Sequence, residues 1–362
     1  MKEAVFLQEV KEIQLLKNAL TLLDWDSSTG MPEKSSPFRG EVEGYLTGLY
    51  FERSIGPVIQ EALAYFETRP EELSELGKLV FEKVKEEYAL NKNVPAERMQ
   101  EYVKVLNQAH TDWLKARAAQ DFGLLEETLT KVVAFQKEFI PYWQKEEKTP
   151  YDVLLNQFEP GMTVEKLDQV FDQVKQGIQE IRTVLAEKGT PPRTDFLSRK
   201  MTKEQQRRFV IGVVEQLGYD FSKGRLDDTV HPFMTALNRN DARITTRWEE
   251  NNFSMATFGV IHEAGHGMYE QNFDPKFDFT PLSEGASMGI HESQSLFNEI
   301  IIGSNRAFWQ KQYPFFQECA EGTFDDIAFE DFYASLKETK ASLIRIDSDS
   351  LTYPLHIIIR YE

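Results

Sequence analysis

Residues 262–266 read His-Glu-Ala-Gly-His, and this five-residue pattern constrains the surrounding structure more than any other segment of the chain. On an α-helix, positions i and i+4 lie on one face about one turn apart, so two imidazoles there can take two corners of a zinc tetrahedron. Glu263, one step round the helix, can reach a water at the metal without binding the ion itself. The flanking sequence supports a helix. Ser254 is the expected N-cap, Phe258 and Ile261 supply an apolar face, and Asn272 with Asp274-Pro275 ends it. Gly265 and Gly267 flank the second histidine, and each costs about 1 kcal/mol in a helix interior. Close approach of another backbone or of a ligand is the expected reason for them.

Two histidines and a water leave a tetrahedral site one protein ligand short. The downstream carboxylates are Glu270, Asp274, Asp278, Glu284, Glu292 and Glu299. Glu270 follows His266 by one turn on the same helix and cannot easily fold back to the metal. The stretch 273–285 is long enough to lay a second helix alongside the first. Spacing alone leaves Glu284, Glu292 and Glu299 as alternatives.

The rest of the chain reads as mainly α. The first ~190 residues have apolar positions at helical spacing, with helices expected over 2–23, 39–51, 56–68, 71–90, 96–120, 123–146 and 163–188. Pro95, Pro141 and Pro150 punctuate them, and 24–38 is expected to break the pattern. Residues 188–196, KGTPPRTDF, give the clearest boundary, so the chain divides into an N-terminal helical region, 1–190, and a C-terminal region, 191–362. A helix over 202–217 follows. The β-branched run from Ala242 to Trp248 is the best strand candidate, with an antiparallel hairpin partner at 232–237. Further helices are expected over 254–272, 286–303, 305–318, 328–342 and from about 350.

Charge narrows the partners. With 41 Lys+Arg against 59 Asp+Glu the net charge is −18, which disfavours nucleic acid and anionic membrane surfaces. No stretch reaches the ~18 unbroken apolar residues of a membrane span. One cysteine, Cys319, permits no internal disulfide and suits a reducing, cytoplasmic setting; it is expected as a small buried apolar residue.

The segment His291-Glu292-Ser293-Gln294 after His-Glu-Ala-Gly-His resembles the pattern of the thermostable carboxypeptidase Taq family, peptidase family M32. Asp241-Ala242-Arg243-Ile244-Thr245 is similar to that family's D-x-R-x-T motif. Leu23-Asp24-Trp25-Asp26 with Met31-Pro32 and Arg39 resembles its N-terminal signature, and His231-Pro232-Phe233 has its counterpart. Ile344-Arg345-Ile346-Asp347-Ser348-Asp349 is similar to its I-R-x-x-A-D stretch, with Ser348 where Ala is usual. The match runs over nearly the whole chain in the same order. The family's G-x-x-Q-D-x-H-W motif is expected beyond residue 362.

The resemblance implies a zincin-type helical fold like that of angiotensin-converting enzyme and neurolysin, with a small antiparallel β element beside a cleft. The N-terminal region would form a lid and one wall, and residues 191–362 the catalytic region. It implies a homodimeric metallocarboxypeptidase that releases residues from peptides with a free C-terminus, with broad specificity. Glu292 would be the third ligand beside His262 and His266, for Zn²⁺ or in its place Co²⁺, and Glu263 the general base. Arg243 and Arg345 are candidates for the terminal carboxylate, because a guanidinium fork binds it bidentately. An ion pair with Asp241 or Asp349 is the alternative for each. His231 is a candidate oxyanion donor, and His291, about 100° round the helix from Glu292, is expected to face substrate or support a ligand. An oligopeptidase cutting within short peptides and a non-catalytic metal-binding remnant remain as alternatives.

Overall fold

The structure is a computed structural model that describes residues 1–343 and 348–362. Among these, helices run in chain order as α1 Glu3–Thr29, α2 Ser36–Ser54, α3 Pro57–Phe66, α4 Glu75–Asn91, α5 Ala96–Ala119, α6 Gly123–Trp143 and α7 Pro150–Phe158. They continue as α8 Val164–Lys188, α9 Lys203–Leu217, α10 Phe253–Gln271, α11 Met288–Leu296, α12 Arg306–Cys319, α13 Phe329–Ser335 and α14 Tyr353–Tyr361. A π-helical stretch, Phe297–Ile302, extends α11.

Local chemistry sets these limits. Thr149 and Asp152 form a reciprocal capping box at α7, with Pro150 in the first turn, where a missing N–H costs nothing. Pro150, expected only as a break between helices, therefore starts one. Thr202 and Gln205 cap α9 in the same way, and Gly218 ends it at φ 115°, a left-handed position that favours glycine. α1 runs on to Thr29, past the expected break at residue 24. The Thr29 hydroxyl donates back to the Trp25 carbonyl at 2.7 Å, and Trp25 is buried. α13 is shorter than expected, closing at Ser335.

The sheet is small and mixed. Strand β3 (Asp241–Thr246) lies between β1 (Leu226–Asp228) and β2 (Met234–Asn238). β2 and β3 form the expected antiparallel hairpin, with Met234 opposite Ile244. The purely antiparallel expectation needs correction, because β1 pairs with β3 in parallel, Leu226 opposite Ile244. β1 has three residues, Leu-Asp-Asp, too few to show an alternating pattern.

The chain divides into two compact units. The first comprises residues 1–14, 47–164 and 279–282, the second residues 15–46, 165–278 and 283–362. In the first, Phe6, Ile59, Phe66 and Val80 are fully or almost fully buried, and the Phe6 and Phe66 rings lie 6.0 Å apart. A satellite cluster gathers around Phe135 and Phe139. In the second, α9, α10, α12 and α13 close on an aromatic core of Phe209, Phe253, Trp309, Phe316 and Phe332. Burying each such ring contributes on the order of 2–3 kcal/mol. This core anchors α10, which also packs against β3 and α11.

Candidate metal centre

α10 enters the second unit through Phe253, which is fully buried. Its N-cap is Asn252, not the expected Ser254, and no side chain caps it, so core packing and not a cap holds this end. Ala256, Val260, Ile261 and Ala264 face the core, which aims the opposite side of the helix at α11. Both glycines sit at close approaches. A β-carbon on Gly265 would stand 2.7 Å from the Gln294 carbonyl and from the Ser295 Cα. One on Gly267 would stand 2.7 Å from the Tyr219 ring, whose hydroxyl donates to the Ala242 carbonyl of β3 at 2.6 Å. Missing side chains thus let α10 fit between α11 and the sheet.

Ser287 caps the start of α11, its hydroxyl accepting the Ile290 N–H at 3.2 Å. The helix brings Glu292 to both imidazoles. Its Oε2 lies 3.2 Å from His266 Nε2 and 3.7 Å from His262 Nε2. One ligand atom from each of the three residues falls within 4.8 Å of the other two.

The other ring nitrogens are committed. His262 Nδ1 lies 2.7 Å from the Glu299 carboxylate, and His266 Nδ1 lies 3.0 Å from the His291 carbonyl. A carbonyl only accepts, so His266 carries its proton on Nδ1; the Glu299 carboxylate favours the same tautomer for His262. Both Nε2 atoms then face the Glu292 carboxylate. Two imidazole nitrogens converging this closely with a carboxylate oxygen make the donor set that a divalent transition metal takes. The chemistry of these residues fits the ion.

The remaining carboxylates have other partners. Glu284 pairs with Lys17 at 2.5 Å, Asp278 with Arg239 at 3.0 Å, Asp274 with Lys276 at 2.9 Å and Glu270 with His291 at 3.0 Å. Glu299 orients His262 from behind. Sequence spacing leaves Glu284, Glu292 and Glu299 in competition, the last two being seven residues, about two helical turns, apart. The structure uses both, one at each nitrogen of His262. The bond of Glu299 to His262 Nδ1 has no signal in the sequence spacing, because it depends on which ring nitrogen faces which helix.

Electrostatics follows burial. Glu263 is 8% exposed, and burial pushes its carboxyl up to about 7. Burial opposes protonation of His262, but the Glu299 hydrogen bond and the surrounding carboxylates outweigh it and raise its pKa. The contact with His266 Nε2 leads in holding Glu292 below the usual carboxylate value.

The other sequence candidates are distributed differently. Arg243 donates to both Asp241 oxygens at 2.8 Å and stacks 4.3 Å over the Trp25 ring, the ion-pair alternative weighed for it. His231 is exposed in the turn between β1 and β2, and Phe233 beside it exchanges hydrogen bonds with the Thr245 hydroxyl at 2.9 Å. His291 is not among the converging ligand atoms and touches His266 instead. Arg345 lies outside the described residues. Cys319 is buried, as expected.

The model of the carboxypeptidase Taq (M32) metallopeptidase family matches residues 5–362. The chain is 44% identical over 360 residues to Carboxypeptidase 1 of Bacillus subtilis, covering 99% of this chain and 72% of that protein. Thermostable carboxypeptidase 1 of Thermus thermophilus is 32% identical, over 97% of this chain and 71% of its own. Among solved structures, the M32 carboxypeptidase of Deinococcus radiodurans superposes with a TM-score of 0.91 at 33% identity, over 98% of this chain and 71% of that one.

Proposed function

Because the chain belongs to the carboxypeptidase Taq (M32) metallopeptidase family, and is thus a metallocarboxypeptidase acting on peptides, we propose that His262, His266 and Glu292 hold its divalent ion, that the ion is Zn²⁺, and that Glu263 is the general base. The observation that carries this reading is the convergence of two Nε2 atoms and one carboxylate oxygen from α10 and α11. When bound, the ion supplies Lewis acidity to the scissile carbonyl and makes water a stronger acid.

The chain's own residues do the rest. Glu299 and the His291 carbonyl hold the two imidazoles through Nδ1, which turns both Nε2 atoms toward Glu292. Glu263 follows His262 directly and is buried beside the cluster without belonging to the ligand set. From there its carboxylate takes a proton from the attacking water and delivers it to the leaving amine. Arg345 is the candidate for the peptide's terminal carboxylate on the strength of the I-R-x-x-S-D resemblance. Arg243 already spends its fork on Asp241.

A buried cysteine without a disulfide agrees with a cytoplasmic setting. A homodimer rests on the resemblance alone, and sedimentation velocity tests it.

The test of the function is mass spectrometry of a peptide incubated with the metal-loaded chain. A ladder shortening from the free C-terminus is expected, with an amidated peptide left intact. Internal cleavage of both peptides alike would favour an oligopeptidase.

A further inference from the structure

Glu270 takes no part in the chemistry described above, yet it is a carboxylate with 6% exposure one turn beyond His266 on α10. A charge this buried needs a donor, and Nε2 of His291 supplies it at 3.0 Å. That bond fixes which nitrogen of His291 carries the proton and where the ring stands. His291 in turn touches the ligand twice. Its ring stacks on His266 with centroids 4.4 Å apart and planes 23° apart, and its carbonyl accepts the His266 Nδ1 proton at 3.0 Å. The ring is enclosed on further sides. Tyr269 meets it edge-on at 5.6 Å, and a β-carbon on Gly285 would stand 2.7 Å from its Cδ2.

We propose that Glu270 and His291 form a positioning pair that holds the His266 ring for metal and clamps α11 at the turn presenting Glu292; this rests on the metal reading above. Glu270 acts through His291 and is not itself a ligand. Because His291 precedes Glu292 directly, a bond from α10 to His291 also limits how far α11 slides along α10. A tie that merely joined two helices would change the unfolding midpoint and leave the geometry at the ion alone. A positioning pair changes the coordination.

The experiment compares wild type with Glu270→Ala, Glu270→Gln and Gly285→Ala. Each is loaded with Co²⁺ for its visible absorption and with Zn²⁺ for affinity by chelator competition, and the metal-free unfolding midpoint is measured alongside. Glu270→Ala is expected to bind Zn²⁺ about 10- to 100-fold more weakly and to alter the Co²⁺ bands. Glu270→Gln, whose amide oxygen can still accept from His291, should recover part of the loss. If Glu270→Ala does not fold, Glu270→Gln and Gly285→Ala carry the same test. Affinity and Co²⁺ bands equal to wild type in every folded variant would overturn the proposal and leave the metal reading intact. A wild-type chain that takes up neither ion would overturn both.

Discussion

Gly265 of α10 lies against Ser295 of α11 so closely that a β-carbon on it would be 2.7 Å from the Ser295 Cα. The neighbour is backbone, which cannot rotate away, so Gly265→Ala must push the two helices apart. The expected cost is about 1–3 kcal/mol of stability. Metal affinity should fall as well, because Glu292 is one turn from the contact. Thermal unfolding and chelator competition read the two effects. A variant with normal affinity would show that the separation of these helices does not set the ligand distance.

Glu263→Gln keeps the size of the side chain and removes its capacity to take a proton. Metal content should stay at the wild-type level while turnover falls by roughly 10²–10⁴-fold. Steady-state rates with matched metal analysis decide it. A fully active variant would remove Glu263 from the chemistry.

Arg243 holds Asp241 with both arms of its fork and covers Trp25, with 15% of its side chain exposed. Arg243→Ala should cost about 1–3 kcal/mol in urea unfolding, since it leaves a half-buried carboxylate without its donor. Lysine should not restore the loss, because it lacks the planar fork. The ratio of KM values for free-ended and amidated peptides should not move. A rise confined to free-ended peptides would instead assign Arg243 to the terminal carboxylate.

Asp152 in the first unit accepts the Val164 N–H at 2.6 Å and the Thr149 N–H at 2.9 Å, and the Val164 bond leads in holding its carboxyl below the usual value. A folded pKa below the unfolded one stabilises the protein above about pH 4 and loses that contribution as pH falls through the folded value. Asp152→Asn should therefore be less stable at neutral pH and show a shallower loss on acidification. Urea unfolding between pH 7 and pH 3 tests this, and parallel curves for the two proteins would count against it.

How much of this could be read in the sequence depends on how local each signal is. The helix carrying His262 and His266 was legible because histidine spacing, flanking glycines and the terminating Asn272 all lie within twenty residues. The hairpin at 234–246 was legible from β-branched residues between turns. β1 was not, because a three-residue parallel strand owes its existence to the edge of β3 and not to its own pattern. The end of α1 was misplaced because polar residues 26–29 look like a turn, while the burial of Trp25 beneath Arg225 and Arg243 keeps the helix going. At the metal centre, spacing reduced the third ligand to a few glutamates, and the resemblance pointed to Glu292. The roles of Glu299 and the His291 carbonyl depend on which ring nitrogen faces which helix, a three-dimensional relation that no interval in the chain encodes.

Metal stoichiometry of wild type against Glu292→Ala tests the central claim most directly. After dialysis against Zn²⁺ and removal of free ion, wild type should retain one ion per chain, and Glu292→Ala should retain far less while still folded by circular dichroism. Equal retention by the two proteins would contradict a site built from His262, His266 and Glu292.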